Sequence, residues 1–439
     1  MYTKKKHWFN WHDLRWLRPG MRFKRWIILI VLGTWLGVTG LEVAIGPVFI
    51  TPLWVQASRV WAQIAVWLDM ASSTVSRSSG FLMILLGLAT VAYAIRQLLR
   101  SVAEVLFKGN DSEFFDYYLT QMRLRRGPKV VAIGGGTGLS TLLRGLKEYT
   151  SNITAIVTVA DNGGSSGRLR EELGTLPPGD IRSCIVALAD AEPLMKKLFQ
   201  HRYGPEFSGL EGHSFGNIFI ATMSEITGDF ETAVRESSKV LAVRGRVLPS
   251  TLEDVTLVGH FTDGSTVEGE AQIPKVGKRI SRVELRPGNV RPPEEAIRAL
   301  QEADLIVLGP GSLYTSVIPN ILVAEIRRAV MLAKCPVVYV CNIMTQPGET
   351  DGYTVSDHLK ALADHLGKGV VDYVVANVSE LPSEVLAKYE GENAKPVVLD
   401  QEAVEAMGVK VLTGHFATIA EHVRHSPLEL AGFLLNLIQ

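Results

Sequence analysis

Lys129-Val130-Val131-Ala132-Ile133-Gly134-Gly135-Gly136-Thr137-Gly138 is the stretch on which the fold turns. A short apolar, largely β-branched run enters a glycine-rich turn and leaves it as a helical segment, Leu139–Leu146. Apolar character without polar alternation marks a strand covered on both faces, as in a parallel sheet. Glycines at the strand end let backbone amides approach an anion, and the helix N-terminus adds a favourable partial charge. Gly134, Gly135, Gly136, Thr137 and Gly138 are therefore candidate phosphate contacts, with a merely tight turn as the plain alternative. No lysine stands where a P-loop needs one, which disfavours a Walker-type ATPase.

Similar runs follow at Ile153–Val159, Asp304–Leu308, Pro336–Cys341 and Val370–Ala376, separated by helix-length segments. This alternation predicts an α/β domain over residues 128–439, Rossmann-like and doubly wound around a mostly parallel sheet. Between Val255 and Glu270 the pattern changes, and Asp263-Gly264 between strand-like segments predicts a small antiparallel β insertion. The sequence shows no internal repeat and no low-complexity tract.

Further polar, glycine-bearing loops follow these strands. The second strand ends at Asp161, where a dinucleotide fold holds a ribose hydroxyl. Asn162, Gly163, Gly164, Ser165, Ser166 and Gly167 follow at once, and their hydroxyls and amides suit a second anionic group. Arg168 and Arg170 add charge or are solvated helix residues. Pro177-Pro178-Gly179-Asp180-Ile181-Arg182 presents Asp180 and Arg182 together, either as a local ion pair or as a ligand clamp. Gly212-His213-Ser214-Phe215-Gly216-Asn217 opens an apolar helix, which Ser214 or Asn217 could simply cap. Gly309-Pro310-Gly311-Ser312-Leu313-Tyr314-Thr315-Ser316 is another strand-to-helix turn, and Asn342 to Thr350, with Thr345 and Gln346, follows the Pro336–Cys341 strand. In an open α/β sheet the C-terminal strand edge is where ligands bind, so the shared position of these loops predicts a ligand crevice.

The first hundred residues differ. Trp26 to Leu41 carries no charge, apolar character resumes from Val43 to Ile50, and a second run extends from Gly80 to Ile95. Each is near the roughly 20 residues that span a bilayer core. Lysines and arginines crowd the sequence before the first run and after the second, with only Arg59 and Arg77 between. By the positive-inside bias both ends of this hairpin face the cytoplasm. The expected organisation is a basic cytosolic segment (1–25), a transmembrane hairpin (26–96), a helical connector (97–127) and the α/β domain. Trp8, Trp11, Trp16 and Trp26 suit a membrane interface or a packed amphipathic helix. A cleaved signal peptide fits poorly, because the basic region is long and a second apolar run follows. A buried soluble hairpin remains the alternative.

The chain has 45 basic and 45 acidic residues, so net charge gives no case for nucleic acid as a partner. Its three cysteines are scattered without a disulfide framework, which predicts buried thiols and a reducing compartment. The ten histidines show no metal-binding spacing, so zinc is not expected.

The glycine loop, the Asp161–Gly167 run, the Pro177–Arg182 turn, the His213–Asn217 segment, Gly309–Ser316 and Asn342–Thr354, in this order, resemble the gluconeogenesis factor family, the YvcK group of the CofD-like superfamily. The resemblance covers roughly residues 128–425. It implies a Rossmann-like domain that binds UDP-sugars such as UDP-N-acetylglucosamine, in proteins tied to gluconeogenic growth, envelope precursor supply and cell shape. Tyr389 and Arg424 resemble family positions linked to UDP-sugar binding, the uridine or sugar end being their expected share; a surface residue is the plain reading of Arg424. The expected function is a membrane-held regulator of a cytosolic protein partner in amino-sugar synthesis, with homo-oligomerisation left open. The alternative is a CofD-like nucleotidyl or phospho-group transferase, in which Asp161 and Asp180 would hold magnesium. An NAD(P)-binding oxidoreductase ranks lower, because the glycine spacing departs from the usual fingerprint.

Overall fold

The computed structural model describes residues 24–45, 59–60, 63–64, 66–67, 72–107, 111–191, 193–419 and 422–438. Trp8, Trp11, Trp16 and most of the basic N-terminal segment lie outside them. The chain forms two compact units, Met1–Gln121 and Met122–Gln439.

In the first unit, helices Lys24–Ile45 and Ser72–Phe107 pack against each other. Within them, Lys24–Ile45 and Arg77–Ser101 have the length and apolar composition of membrane spans. Glycines set their separation. A Cβ on Gly40 would lie 2.8 Å from the Gly80 carbonyl oxygen, and one on Gly87 would lie 2.6 Å from that of Gly33. Such close backbone approach lets the two helices meet in continuous van der Waals contact. At one end Trp26 Nε1 donates to Ser101 Oγ (2.9 Å), and its ring meets Tyr93 edge-on. The second helix runs unbroken past residue 96 into the expected connector, and another helix, Asp111–Arg125, follows.

In the second unit the strands are β1 (Val130–Gly134), β2 (Ile153–Val157), β3 (Arg246–Pro249), β4 (Thr256–Phe261), β5 (Thr266–Glu268) and β6 (Ile280–Arg286). They continue as β7 (Leu305–Leu308), β8 (Val337–Val340), β9 (Tyr373–Asn377), β10 (Lys410–Gly414), β11 (Ala417–Ile419) and β12 (Val423–His425). Seven of them form one sheet in the order β10-β9-β8-β7-β1-β2-β3, and every neighbouring pair is parallel. The chain winds outward in one direction from β1 and in the other from β7. The switch point therefore lies between these two strands, where their loops part and leave a crevice.

The central strands β1, β2, β7 and β8 are buried along their whole length, as continuous apolar runs require. The outer strands β3 and β10 were not expected from the sequence. Each lies at a sheet edge, and β10 has no fully buried residue, so neither carries a long apolar run. The predicted insertion is present: β4 and β5 pair antiparallel, Gly264 turns between them with φ +85°, and β6 adds a third strand. All three cysteines are free; Cys184 and Cys341 are buried, and burial pushes the Cys341 thiol up to about 12.

Candidate functional site

A cleft of about 550 Å³ opens at the C-terminal ends of β1, β7 and β8. That is a common volume for a small-molecule site. Its floor is the glycine loop from Gly135 to Gly138, with Thr141 one turn along the helix Gly136–Leu146. One wall is Pro310-Gly311-Ser312 and Ser316; another is the segment from Asn342 to Pro347. Tyr389, Glu392, Ala394 and His422 to His425 complete it. Two glycines make the floor possible. Gly136 has φ +62°, a backbone state that L side chains rarely adopt, and a Cβ on Gly138 would lie 2.5 Å from the Pro310 carbonyl oxygen.

The structure thus brings Gly135, Gly136, Thr137, Gly138, Gly311, Ser312, Asn342, Thr345, Gln346, Tyr389 and Arg424 to one cleft. Several are already hydrogen-bonded. Asn342 Oδ1 accepts from Gly311 N (3.3 Å), Lys395 N donates to Thr345 Oγ1 (2.9 Å), and Gln346 Nε2 donates to Glu349 Oε1 (2.8 Å). The Tyr389 hydroxyl accepts from Val423 N (2.7 Å), so it holds β12 beside the cleft. Gly134 lies within buried β1, and Tyr314 is buried with its hydroxyl 2.9 Å from that of Tyr353.

The remaining candidates gather on the other side of the glycine loop. The Asp180 carboxylate lies against Gly135, where an added Cβ would come within 2.4 Å of it, and it accepts from the Gly136 amide. Asp161 is its neighbour: its Oδ1 accepts from Gly163 N (2.8 Å), and Oδ2 would lie 3.1 Å from a Cβ on Gly179. Burial, then the Asp161 charge, push the Asp180 carboxyl up to about 7, against the opposing pull of the Gly136 amide and Arg182. Asn162 Oδ1 accepts from Ala271 N (2.9 Å), tying this loop to the β insertion. Gly164 opens the helix Gly164–Leu173. Ser165 Oγ lies 3.1 Å from His213 Nδ1 and accepts from Asn217 Nδ2 (3.0 Å), while Ser166 Oγ accepts from Gly179 N (3.2 Å). Ser214 caps its helix by accepting from Asn217 N, one of the roles the sequence left open. Arg182 Nη2 donates to Ser183 Oγ (3.3 Å).

Two further acids join this side. Glu349 is buried, accepts from Tyr314 N and Thr315 Oγ1 (3.2 and 2.8 Å), and burial pushes it up to about 7. Glu270 is pushed up to about 8 by burial and then by Asp161, Asp180 and Glu349. Sequence reading missed Glu270 because nothing local distinguishes it, and passed over Glu349 inside a loop read for its amides. It also missed His425, whose imidazole burial pushes down to about 4 against the opposing pull of the Cys341 backbone. Asp161 and Asp180 fit a magnesium ion in one respect: its usual site uses one or two carboxylates with ligand phosphate oxygens. Among the described residues no group of three or more His, Cys, Asp or Glu forms a protein-only cage.

Comparison with known proteins agrees with this architecture. The profile of the family described as 2-phospho-L-lactate transferase CofD matches residues 130–417. A putative gluconeogenesis factor of Nostoc sp. is 47% identical over 96% of this chain and 92% of its own length. The gluconeogenesis factor of Bacillus subtilis is 51% identical over 98% of its length but only 71% of this chain, so the N-terminal extension is additional to it. A crystal structure of a UPF0052 family protein from Bacillus halodurans superposes with a TM-score of 0.68 at 50% identity, over 70% of this chain and 99% of that one. The chain therefore belongs to the gluconeogenesis factor family, a CofD-like α/β domain here preceded by two long apolar helices.

Proposed function

We propose that the cleft binds a nucleotide sugar, UDP-N-acetylglucosamine or a close relative. On this reading the protein is a regulator linking carbon metabolism to envelope precursor synthesis and cell shape. The observation that carries it is the glycine loop at the β1/β7 switch point, which puts a helix N-terminus on the floor of a cleft of small-ligand size. The two apolar helices, flanked by basic sequence, support a two-pass anchor in the bacterial cytoplasmic membrane with the α/β domain on the cytosolic side. Tethering raises the effective concentration of the domain near envelope enzymes without new contacts. A protein partner in amino-sugar synthesis is the expected target of its response.

The second reading, a CofD-like transferase, is favoured by the family match and by Asp180, an acid with a pKa of about 7 touching the phosphate-cradling loop. Such a group could exchange a proton with an acceptor hydroxyl near neutral pH. Titration calorimetry of the full chain in detergent micelles, with and without magnesium, decides between the readings when the recovered ligand is examined. Saturable binding with intact UDP-N-acetylglucosamine supports the regulator. Conversion of the ligand moves the transferase to first place, and absence of binding rejects the proposed ligand. For the anchor, membrane fractionation of a variant lacking residues 1–100 is expected to move the protein into the soluble fraction; retention on membranes would refute it.

A further inference from the structure

Thr137, Thr141 and Arg144 follow one another at i, i+4 and i+7 along the helix Gly136–Leu146, and so share one face. Thr137 and Thr141 line the cleft. Arg144 is the next residue on this stripe, one turn beyond the lining residue Thr141. Both β12 and the C-terminal helix Pro427–Leu435 pack on the same helix. The approach is close: a Cβ on Gly145 would lie 1.8 Å from the Pro427 carbonyl oxygen. This contact holds the end of β12, the strand that carries Arg424, on the helix that carries Arg144.

Arg144 is half-buried, and its pKa is lowered by burial and then by the charge of Arg424. Among the described residues neither arginine forms an ion pair with a carboxylate. Two neighbouring guanidiniums without a counter-ion repel, and partial desolvation strengthens that repulsion; a bridging anion reverses its sign. The planar donor fork of arginine matches phosphate oxygens.

We propose that Arg144, just beyond the lining, and Arg424, on the wall, form an anion clamp at the edge of the cleft, whose occupant is a phosphoryl group. That this group belongs to a nucleotide diphosphate rests on the reading above; the clamp itself does not. Arg424 then serves the diphosphate rather than the uridine or sugar end, and Arg144 becomes a binding residue that no local motif marks.

The test is calorimetry of the full chain in detergent with inorganic pyrophosphate, UDP and UDP-N-acetylglucosamine. Arg144→Gln is expected to weaken all three by about tenfold or more, and Arg144→Lys to recover part of the loss, since charge returns without the fork. The double variant with Arg424→Gln is expected to be little worse than either single one, a coupling that a merely structural role would not produce. Should Arg144→Gln melt early, Arg144→Lys, which keeps the charge and the aliphatic stem, carries the test: it is expected to weaken pyrophosphate and UDP, and wild-type affinity would overturn the clamp. Wild-type affinity for pyrophosphate and UDP in the variants overturns the clamp, as does failure of the wild-type chain to bind any of the three probes. Wild-type binding of pyrophosphate that UDP and UDP-N-acetylglucosamine do not match would reject the nucleotide and leave the clamp standing.

Discussion

The glycine loop has two unlike sides. On the cleft side it meets hydroxyls, amides and Arg424, with Glu392 the one acid among the lining residues. On the far side it meets Asp180, with Asp161, Glu270 and Glu349 acting on one another nearby. Both sides are assembled from loops at the same sheet edge, so strand topology alone does not decide what each side binds. The difference lies in burial and sign. An anion is favoured on the first side and repelled from the second, where burial raises the proton affinity of Asp180, Glu270 and Glu349 and neighbouring acids add to it at Asp180 and Glu270, outweighing the pull of Arg182 on Asp180.

The largest effect is expected from Gly138→Val, which drives a branched side chain into the Pro310 carbonyl and closes the floor. Affinity for UDP and pyrophosphate should fall by about 100-fold or more, equivalent to ~3 kcal/mol, in the same titrations. Arg424→Ala should cost about tenfold, the scale of one charge-assisted hydrogen bond. An unchanged UDP-sugar affinity would remove Arg424 from the donor side altogether. Tyr389→Phe deletes the acceptor for Val423 N without vacating the cleft, and a loss of about fivefold is expected from ~1 kcal/mol. The effect should vanish in the Arg424→Ala background if Tyr389 acts by holding β12.

The far side is tested by pH. Asp180, Glu270 and Glu349 each bind a proton more tightly folded than unfolded. Their contribution to stability is therefore full at low pH and is lost as pH rises from the ordinary carboxylate range through about 8. Glu270→Gln should flatten this decline and raise the melting temperature at pH 8 by about 2–4 °C. A variant that melts below wild type at pH 8 would show that the Glu270 charge is stabilising where it sits.

How much of this was legible in the sequence follows from the same physics. The central strands were readable because burial on both faces forces a continuous apolar run. Edge strands β3 and β10 were not, since one side of each is half solvated and Lys410 and Arg246 are tolerated there. Within the site, the glycine loops announced themselves through a residue type that only a turn or a close approach requires. Arg144, Glu270 and His425 sit on ordinary elements, and their roles arise from neighbours far away in the chain. Asp161 is expected beside a ribose as the end of the second strand; β2 itself ends at Val157, and Asp161 stands four residues on, its Oδ1 accepting from Gly163 N of its own loop. Tyr389 is expected at the ligand from the family resemblance; it lines the cleft, and its hydroxyl also accepts from Val423 N of β12, a contact that no local motif marks.

The helix Pro427–Leu435 and strand β12 lie on the first helix of the α/β domain, the one that follows β1. This arrangement has a consequence during synthesis. A chain still on the ribosome can complete β1, the glycine loop and the early helices, yet its cleft lacks a wall until residues 422–435 have emerged and returned to Gly145. Contacts of such long sequence separation form late. On the reading proposed above, a ligand of this cleft would meet its complete wall only in a chain grown past residue 435. A chain cut short before His422 would keep the whole sheet and lose the site.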